Sequence, residues 1–274
     1  MTQTISGLSQ KEAELLSRLA ATGRSIFTYE EMIGLWPNPA TARLALHGLE
    51  RSGWLRRIER GLYALIPLSA GPERQWSENA LVVASHLLKP SAIAYWSALH
   101  YWNLTEQTPR AVFVQSPARK FKKELTVAGV RYHFVFIQPA RFFAQAEQSI
   151  EGNAVQITDR EKTIIDACDR PDLSGGIRQL ALALQRNTVD LDWQRLDEYA
   201  RRFASGAVYK RLGYLVETLD LAIPGRAKLM AQWQQQITTG IAVLDPGEPG
   251  QGVTQRRWRI RDNIGLSTFP ERQS

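Results

Sequence analysis

The sequence predicts an α+β protein with a small helical N-terminal domain that ends in a β-hairpin and a larger mixed α/β C-terminal domain with a mainly helical end. Three observations support this: helix-capping patterns near the start, β-rich segments in the middle, and a 3.6-residue apolar period after them. A Pro- and Gly-rich stretch separates the domains. We assign residues 1–70 to the first domain and 71–274 to the second, which comprises an α+β region at 73–157, helices at 158–240, and closing strands with a loose tail at 241–274.

The composition indicates a folded chain with an excess of basic residues. Of 274 residues, 44% are hydrophobic, which suffices for a core, and the formal net charge is +7. Such an excess suits a nucleic-acid partner. There is no apolar run of 18 residues, no secretory signal pattern, and one cysteine, Cys168, which excludes an intrachain disulfide. We therefore expect a cytoplasmic protein that does not contact a membrane.

Capping patterns predict three helices in the first 53 residues. Ser9 with Glu12, and Thr28 with Glu31, have the spacing of a capping box, in which each residue bonds the backbone N–H of the other. Asn38 is suited to cap a third helix because a proline follows it at the first helical position. The third helix carries an apolar stripe at spacings of four and three residues: Ala42, Leu46 and Leu49.

A short basic hairpin is predicted after the third helix. Gly53 ends that helix, and the segment from Leu55 to Leu65 is β-rich on both sides of a turn at Gly61. The order of helix, turn, helix and basic hairpin predicts a winged helix-turn-helix, a domain that binds DNA. A winged domain used for protein contacts or for RNA is the alternative.

The predicted DNA-binding face follows from how a helix-turn-helix docks. Its second helix enters the major groove through its N-terminal half. Arg43 is suited to bond guanine O6 and N7, and Asn38 or Thr41 to reach a base edge or a phosphate. The wing arginines suit phosphates or the minor groove. The full set of predicted DNA-binding residues is Thr28, Tyr29, Asn38, Thr41, Arg43, Leu44, His47, Arg51, Arg56, Arg57 and Arg60.

The C-terminal domain is predicted to alternate helices and strands. Helices are expected at 76–88, 91–102, 177–186, 192–203, 207–221 and 226–238. Strands are expected at 111–115, 125–127, 131–136, 155–157, 241–244 and 253–260. Thr158 with Glu161 is expected to cap a further helix that runs through Cys168.

Several strings along the chain coincide with one family. They are Arg60–Tyr63, Ala94–Leu104 followed by Val112–Val114, Thr158–Asp166, Gly175–Gly176 and Lys210–Leu215. In this order and spacing the chain resembles the AbiEi-type antitoxins of type IV toxin–antitoxin systems, which act in abortive infection, a form of phage defence. The resemblance runs from about residue 9 to 262 of the chain.

The resemblance implies two functions. The N-terminal winged helix would repress its own operon by binding inverted repeats in double-stranded DNA. The larger C-terminal domain would be needed to neutralise a nucleotidyltransferase toxin, without a stable complex being required. Operator DNA and the toxin are therefore the expected partners, and the resemblance does not identify the neutralising residues.

One pattern resembles an enzyme signature. Gly175 and Gly176 precede Asp190 and Asp192 by a spacing that mimics nucleotidyltransferases, in which a glycine turn holds phosphates and two carboxylates hold Mg²⁺. We favour two helices joined by a turn, with Asp192 as an N-cap. The acidic residues at 159–169 suit helix dipoles and salt bridges. We expect no catalytic residues, metal or cofactor, since the four histidines also lack the spacing of a zinc site: His47, His86, His100 and His133.

The aromatic segment 95–102 leaves two interpretations open. It is suited to line a ligand pocket or a base-stacking platform, but we favour core beneath a sheet, with His100 as a packing residue. Two other functions are therefore compatible with the sequence: a nucleic-acid-modifying enzyme with a DNA-binding head, and a one-component regulator that senses a small molecule.

Basic residues are concentrated in the second domain. Residues 110–141 hold seven Lys or Arg against one Glu, whereas 1–70 hold eight against six Asp or Glu. The central basic run consists of Arg119, Lys120, Lys122 and Lys123. Two explanations account for it equally well: a secondary nucleic-acid patch that binds phosphates of DNA or RNA, and a solvated hairpin tip. A second strip at 256–261 is expected to alternate along an edge strand, with arginines on one face.

Overall fold

The computed structural model has an α+β fold, as the sequence predicts, and it describes residues 8–21, 23–33, 38–67, 70 and 78–266. The chain divides into two compact units: unit 1 is 1–87, 125–131 and 148–155, and unit 2 is 88–124, 132–147 and 156–274. The first unit thus extends past the predicted boundary at residue 70. Most of the predicted linker lies outside the described residues. None of the described helices is long and apolar enough to cross a lipid bilayer.

Unit 1 contains helices and a three-stranded antiparallel sheet. Its elements before residue 88 are α1 (Gln10–Ala21), β1 (Ile26–Thr28), α2 (Tyr29–Ile33), α3 (Pro39–Arg51), β2 (Leu55–Glu59), β3 (Leu62–Leu65) and α4 (Ala80–Leu87). The sheet order is β1-β3-β2. The sequence predicted the β2–β3 hairpin but not β1, whose Ile26 pairs with Ala64. A winged helix-turn-helix remains our interpretation of this order.

The predicted caps of α1, α2 and α3 are present. The Ser9 N–H donates to the Glu12 carboxylate at 2.7 Å, and the Thr28 N–H donates to the Glu31 carboxylate at 2.6 Å. Asn38 Oδ1 accepts the backbone N–H of the third residue after it at 2.9 Å. These bonds satisfy N–H groups that a helix start leaves without partners. Pro37 is expected to end the second helix, because a proline disfavours the helical conformation of the residue before it, and this position lies outside the described residues.

The core of unit 1 forms where the predicted stripe of α3 meets α1 and the sheet. Ala42, Leu46 and Leu49 are buried, as predicted, and they belong to one cluster with Leu15, Phe27 and Leu55. Truncating a buried leucine such as Leu46 to alanine typically costs about 2–5 kcal/mol. The stripe therefore fixes which face of α3 points away from the core.

A six-stranded mixed sheet dominates the middle of the chain. Its strands and one helix are β4 (Ala92–Ile93), α5 (Tyr95–Tyr101), β5 (Val112–Ser116), β6 (Glu124–Val127), β7 (Val130–Phe136), β8 (Gln145–Ile150) and β9 (Asn153–Thr158). The order is β6-β7-β5-β4-β9-β8. The helix predicted over 91–102 is wrong at its start, because Ala92 pairs with Gln115 and Ile93 pairs with Ile157. Strand β8 was missed.

Helices and a small closing sheet complete unit 2. They are α6 (Arg160–Asp169), α7 (Ile177–Asn187), α8 (Trp193–Phe203), α9 (Gly206–Thr218), α10 (Arg226–Gln236), β10 (Ala242–Val243), β11 (Val253–Gln255) and β12 (Ile260–Asp262). The predicted cap of α6 is wrong by one residue: Asp159 accepts the N–H of Lys162 at 2.8 Å, whereas Thr158 ends β9. The strand predicted over 253–260 is interrupted by a turn at 256–259.

The string at 210–215 holds the closing segment to the helical core. The buried guanidinium of Arg211 donates to the carbonyl oxygens of Leu244 at 2.9 Å and Cys168 at 2.8 Å. Tyr214 donates its hydroxyl to Asp262 at 2.8 Å. These contacts give the residues at 210–215 a structural role, in packing and in hydrogen bonding.

Candidate nucleic-acid interface

The face of α3 opposite the core stripe is exposed and carries four of the eleven predicted DNA-binding side chains. Arg43, Leu44, His47 and Arg51 are all exposed, and Leu44 retains 74% of its accessible surface. A large apolar side chain on a helix normally faces the core, but on α3 the buried stripe already makes the core contacts. An exposed apolar group here is suited to contact a thymine methyl group in the major groove.

A polar cleft of about 600 Å³ lies between α3 and the β2–β3 hairpin. Five predicted DNA-binding residues converge on it from α2, α3 and the hairpin: Tyr29, Arg43, His47, Arg57 and Arg60. Sequence reasoning predicted these members from separate elements. Their convergence depends on the packing of α3 against β2.

The charge of the cleft is mixed. Glu30 and Glu50 line it beside the arginines and were not predicted as site residues. Within the part of the chain that the structure describes, the side chains of Arg43 and Arg60 make no hydrogen bond or ion pair. Both guanidinium groups are therefore positioned to bind an external anion or a base edge.

The hairpin positions its arginines through a register shift between Arg57 and Glu59 and a tight turn. On β2, Leu55 and Ile58 are buried, while Arg57 between them is exposed and Arg56 is half-buried. Gly61 has φ of +79°, a conformation that glycine adopts without the steric cost of a side chain. The turn thus holds Arg60 at the tip of the hairpin.

Three predicted contact residues, Thr28, Asn38 and Thr41, use their side-chain oxygens at helix caps. Asn38 Oδ1 accepts from the Thr41 hydroxyl at 3.0 Å as well as from its N–H, so only the amide NH₂ of Asn38 is left for an external partner. The Thr28 hydroxyl accepts the Glu31 N–H at 3.3 Å. These oxygens serve caps first, and any phosphate contact at the start of α3 rests on the remaining N–H groups.

His47 and Arg51 form a pair one turn apart on α3. Arg51 Nη2 lies 3.1 Å from His47 Nε2. Because a guanidinium can only donate, this contact makes Nε2 the acceptor and leaves the proton on Nδ1 in the neutral ring. The pair limits the freedom of both side chains on the exposed face.

Two side chains of the basic run in unit 2 contact aromatic rings, which a fully solvated hairpin tip would not do. The Arg119 guanidinium lies 4.1 Å from the centre of the Phe136 ring, and Lys120 Nζ lies 5.0 Å from the centre of the Phe134 ring. Phe121, the next residue, is fully exposed. Neither Phe121 nor Phe136 was predicted as a site residue; the sequence signal for Phe121 was its position inside the basic run.

The aromatic helix α5 packs mainly as core. Tyr95, Ala98 and Leu99 are buried, and Trp102 donates its indole N–H to the carbonyl oxygen of Thr158 at 2.7 Å. The expectation for His100 is wrong: it is exposed, because it lies on the face of α5 turned away from these buried residues.

The pattern that resembles a nucleotidyltransferase has a structural explanation at both ends. Asp245 accepts the first N–H of α7, that of Ile177, at 2.8 Å, and so occupies the position a phosphate would need. A Cβ on Gly176 would lie 2.9 Å from the Asp245 carboxylate. Asp192 caps α8 by accepting the N–H of Arg195 at 2.9 Å, as we expected.

The other acidic residues near α6 are also engaged. Asp159 caps α6, Glu161 accepts the N–H of Asp192 at 2.9 Å, and Asp166 forms a fully buried ion pair with Lys162. Burial raises the pKa of Asp166 to about 6, against the opposing effect of Lys162. Among the residues that the structure describes, no group of three or more His, Cys, Asp or Glu is arranged to hold a metal ion.

Comparison with known proteins identifies a shared fold. No protein-family model matches the chain, and no curated protein matches its sequence. The fold is similar to the crystal structure of the RV2827C protein from Mycobacterium tuberculosis, with a TM-score of 0.66 and 17% sequence identity over 95% of this chain and 94% of that one. The similarity therefore extends over nearly the full length of both chains and concerns the α+β fold alone.

Proposed function

We propose that the protein is a DNA-binding transcriptional repressor that also serves as the antitoxin of a type IV system directed against a nucleotidyltransferase toxin. The observation that carries the DNA-binding part is the single cleft in unit 1 on which Tyr29, Arg43, His47, Arg57 and Arg60 converge. The antitoxin part rests on the resemblance to the AbiEi-type proteins.

In this proposal α3 enters the major groove with its exposed face. Arg43 reads a guanine through two parallel hydrogen bonds, and Leu44 contacts a thymine methyl group. Arg57 and Arg60 on the hairpin bind phosphates and fix the orientation of α3. Glu30 and Glu50 repel phosphates inside the cleft. The side chains on α3 therefore contact bases and provide sequence specificity, whereas those on the hairpin contact phosphates outside the cleft and do not.

The experiment is a binding titration of the full chain on the inverted repeats upstream of its own gene. Arg43→Ala is expected to weaken operator binding by about 1–3 kcal/mol and to relax the preference at one base pair. Arg18→Ala is the matched control, because Arg18 is exposed on α1, lies outside the cleft, and forms its ion pair with the exposed Glu14. Unchanged affinity and base preference in Arg43→Ala would refute the reading role of α3.

A further inference from the structure

We infer that a second surface, on unit 2, binds single-stranded nucleic acid of either sugar type. We call it the basic-aromatic surface; it consists of Arg119, Lys120, Phe121, Lys122, Lys123 and Phe136. It goes beyond the proposed function and shares no residue with the cleft in unit 1, so either proposal can fail alone.

The first observation is the exposure of two phenylalanine rings beside four cations. Phe121 is fully exposed, and Phe136 retains 43% of its accessible surface. Isolated apolar residues on a surface need no explanation. Here one ring lies inside the basic run and the other, at the end of β7, contacts Arg119 of that run. Planar rings beside cations are the stacking groups that single-strand binding proteins use.

The second observation is the contact of Arg119 with Phe136. The guanidinium carbon of Arg119 lies 4.1 Å from the centre of the Phe136 ring. Since Arg119 is exposed, a base can reach its guanidinium beside this ring. Phe121 and the Arg119–Phe136 pair thus offer two stacking positions.

The third observation is an excess of positive charge. Four cations stand beside one carboxylate in the sequence, Glu124, which lies 3.0 Å from His133 Nδ1. Within the described residues, the ammonium groups of Lys122 and Lys123 have no partner. Four cations within five residues are suited to neutralise successive phosphates of one strand.

The ligand class follows from what these groups read. A phenylalanine ring stacks on a base only where the base face is open, which a duplex prevents. The segment 117–123 contains no Ser, Thr, Asn or Gln to distinguish a 2′-hydroxyl from a hydrogen. We therefore expect RNA and DNA strands to bind with similar affinity. An acidic protein surface would contact the cations but would not need the planar rings.

The experiment measures fluorescence anisotropy of the full chain with labelled 12-nucleotide strands of oligo-U and oligo-dT, in an Arg43→Ala background that weakens the cleft. Both strands are expected to bind with affinities within about threefold of each other. Phe121→Leu keeps an exposed apolar side chain but loses the planar face, and it is expected to weaken the binding of both strands about tenfold. Phe121→Trp keeps a planar ring and is expected to bind both strands as the parent chain does. Lys122→Gln with Lys123→Gln should reduce the slope of log affinity against log salt by about 1.4.

Lys228→Gln on α10 is the charge control, because Lys228 is exposed and lies outside this surface. It should change neither affinity nor salt slope. Single-strand binding that is insensitive to Phe121→Leu but lost in the lysine variant would overturn the inference and indicate a surface that reads charge alone, as an acidic protein would require. So would a preference above about tenfold for one sugar type, or no binding by the parent chain.

Discussion

The close approach of Gly213 to Trp258 yields a quantitative prediction about stability. Gly213 lies inside α9, and a Cβ built on it would be 2.1 Å from Cζ3 and 2.3 Å from Cη2 of Trp258. That indole is fully buried, and its N–H donates to Glu217, so the ring cannot rotate away without losing a hydrogen bond. Gly213→Ala therefore requires α9 and the turn at 256–259 to separate.

Two effects of opposite sign determine the size of the change. Overpacking a rigid core typically costs about 1–3 kcal/mol and occasionally more, and contacts this short favour the upper part of that range. Alanine in a helix interior returns about 0.5–1 kcal/mol relative to glycine. We expect Gly213→Ala to lower the free energy of unfolding by about 1–3 kcal/mol, which corresponds to about 2–12 °C in Tm for a unit of this size.

The assay is thermal unfolding of the full chain followed by circular dichroism, with Gly48→Ala as the matched control. Gly48 is also inside a helix, but its Cβ would lie 3.2 Å from the Glu12 carboxylate, a much smaller overlap than that at Gly213. The same carboxylate accepts the Ser9 N–H, which offsets part of the gain from alanine. Gly48→Ala should therefore change the free energy of unfolding by less than about 1 kcal/mol. If Gly213→Ala were as stable as the parent chain, the packing of α9 against Trp258 would be wrong.

Three further results are expected. Arg60→Ala should weaken binding to operator and random DNA alike and reduce the salt slope by about 0.9, as for one lost phosphate contact; altered base preference with an unchanged slope would contradict this role. Cys168 is fully buried, which raises the pKa of its thiol to about 12, so a disulfide reagent at pH 8 should leave it unmodified in the native chain and titrate one thiol after denaturation; rapid native reaction would show that this core opens. Arg43→Ala should lose repression of the promoter yet still protect cells from the partner toxin, since the resemblance assigns neutralisation to the larger domain; loss of protection at equal expression would contradict that division.

Short-range signals predicted the helices of this chain well. The capping boxes at Ser9 and Thr28, the cap at Asn38 and the stripe along α3 were all correct. Each of these features involves residues three or four positions apart, so one helical turn contains both partners.

Strands whose partners are remote were predicted less well. β1, β4 and β8 were missed, and β4 is only two residues long, with partners at Gln115 and Ile157. A strand this short has no period to detect, and its stability comes from hydrogen bonds to distant segments. The same reason explains the cap of α6: Thr158 ends β9, its hydroxyl donates to the distant carbonyl oxygen of Ile93 at 3.4 Å, and the cap passes to Asp159.

The candidate sites show the same division. Residue type and helical spacing were enough to predict that Arg43 and His47 share an exposed face, because the buried stripe determines the orientation of α3. The fold decided that Arg57 and Arg60 share a cleft with them, together with Glu30 and Glu50. It also brought Arg119 onto Phe136, seventeen positions away in the sequence. Pattern along one helix depends on local geometry, whereas convergence of separate elements depends on how the core packs, and that packing is the sum of many long-range contacts.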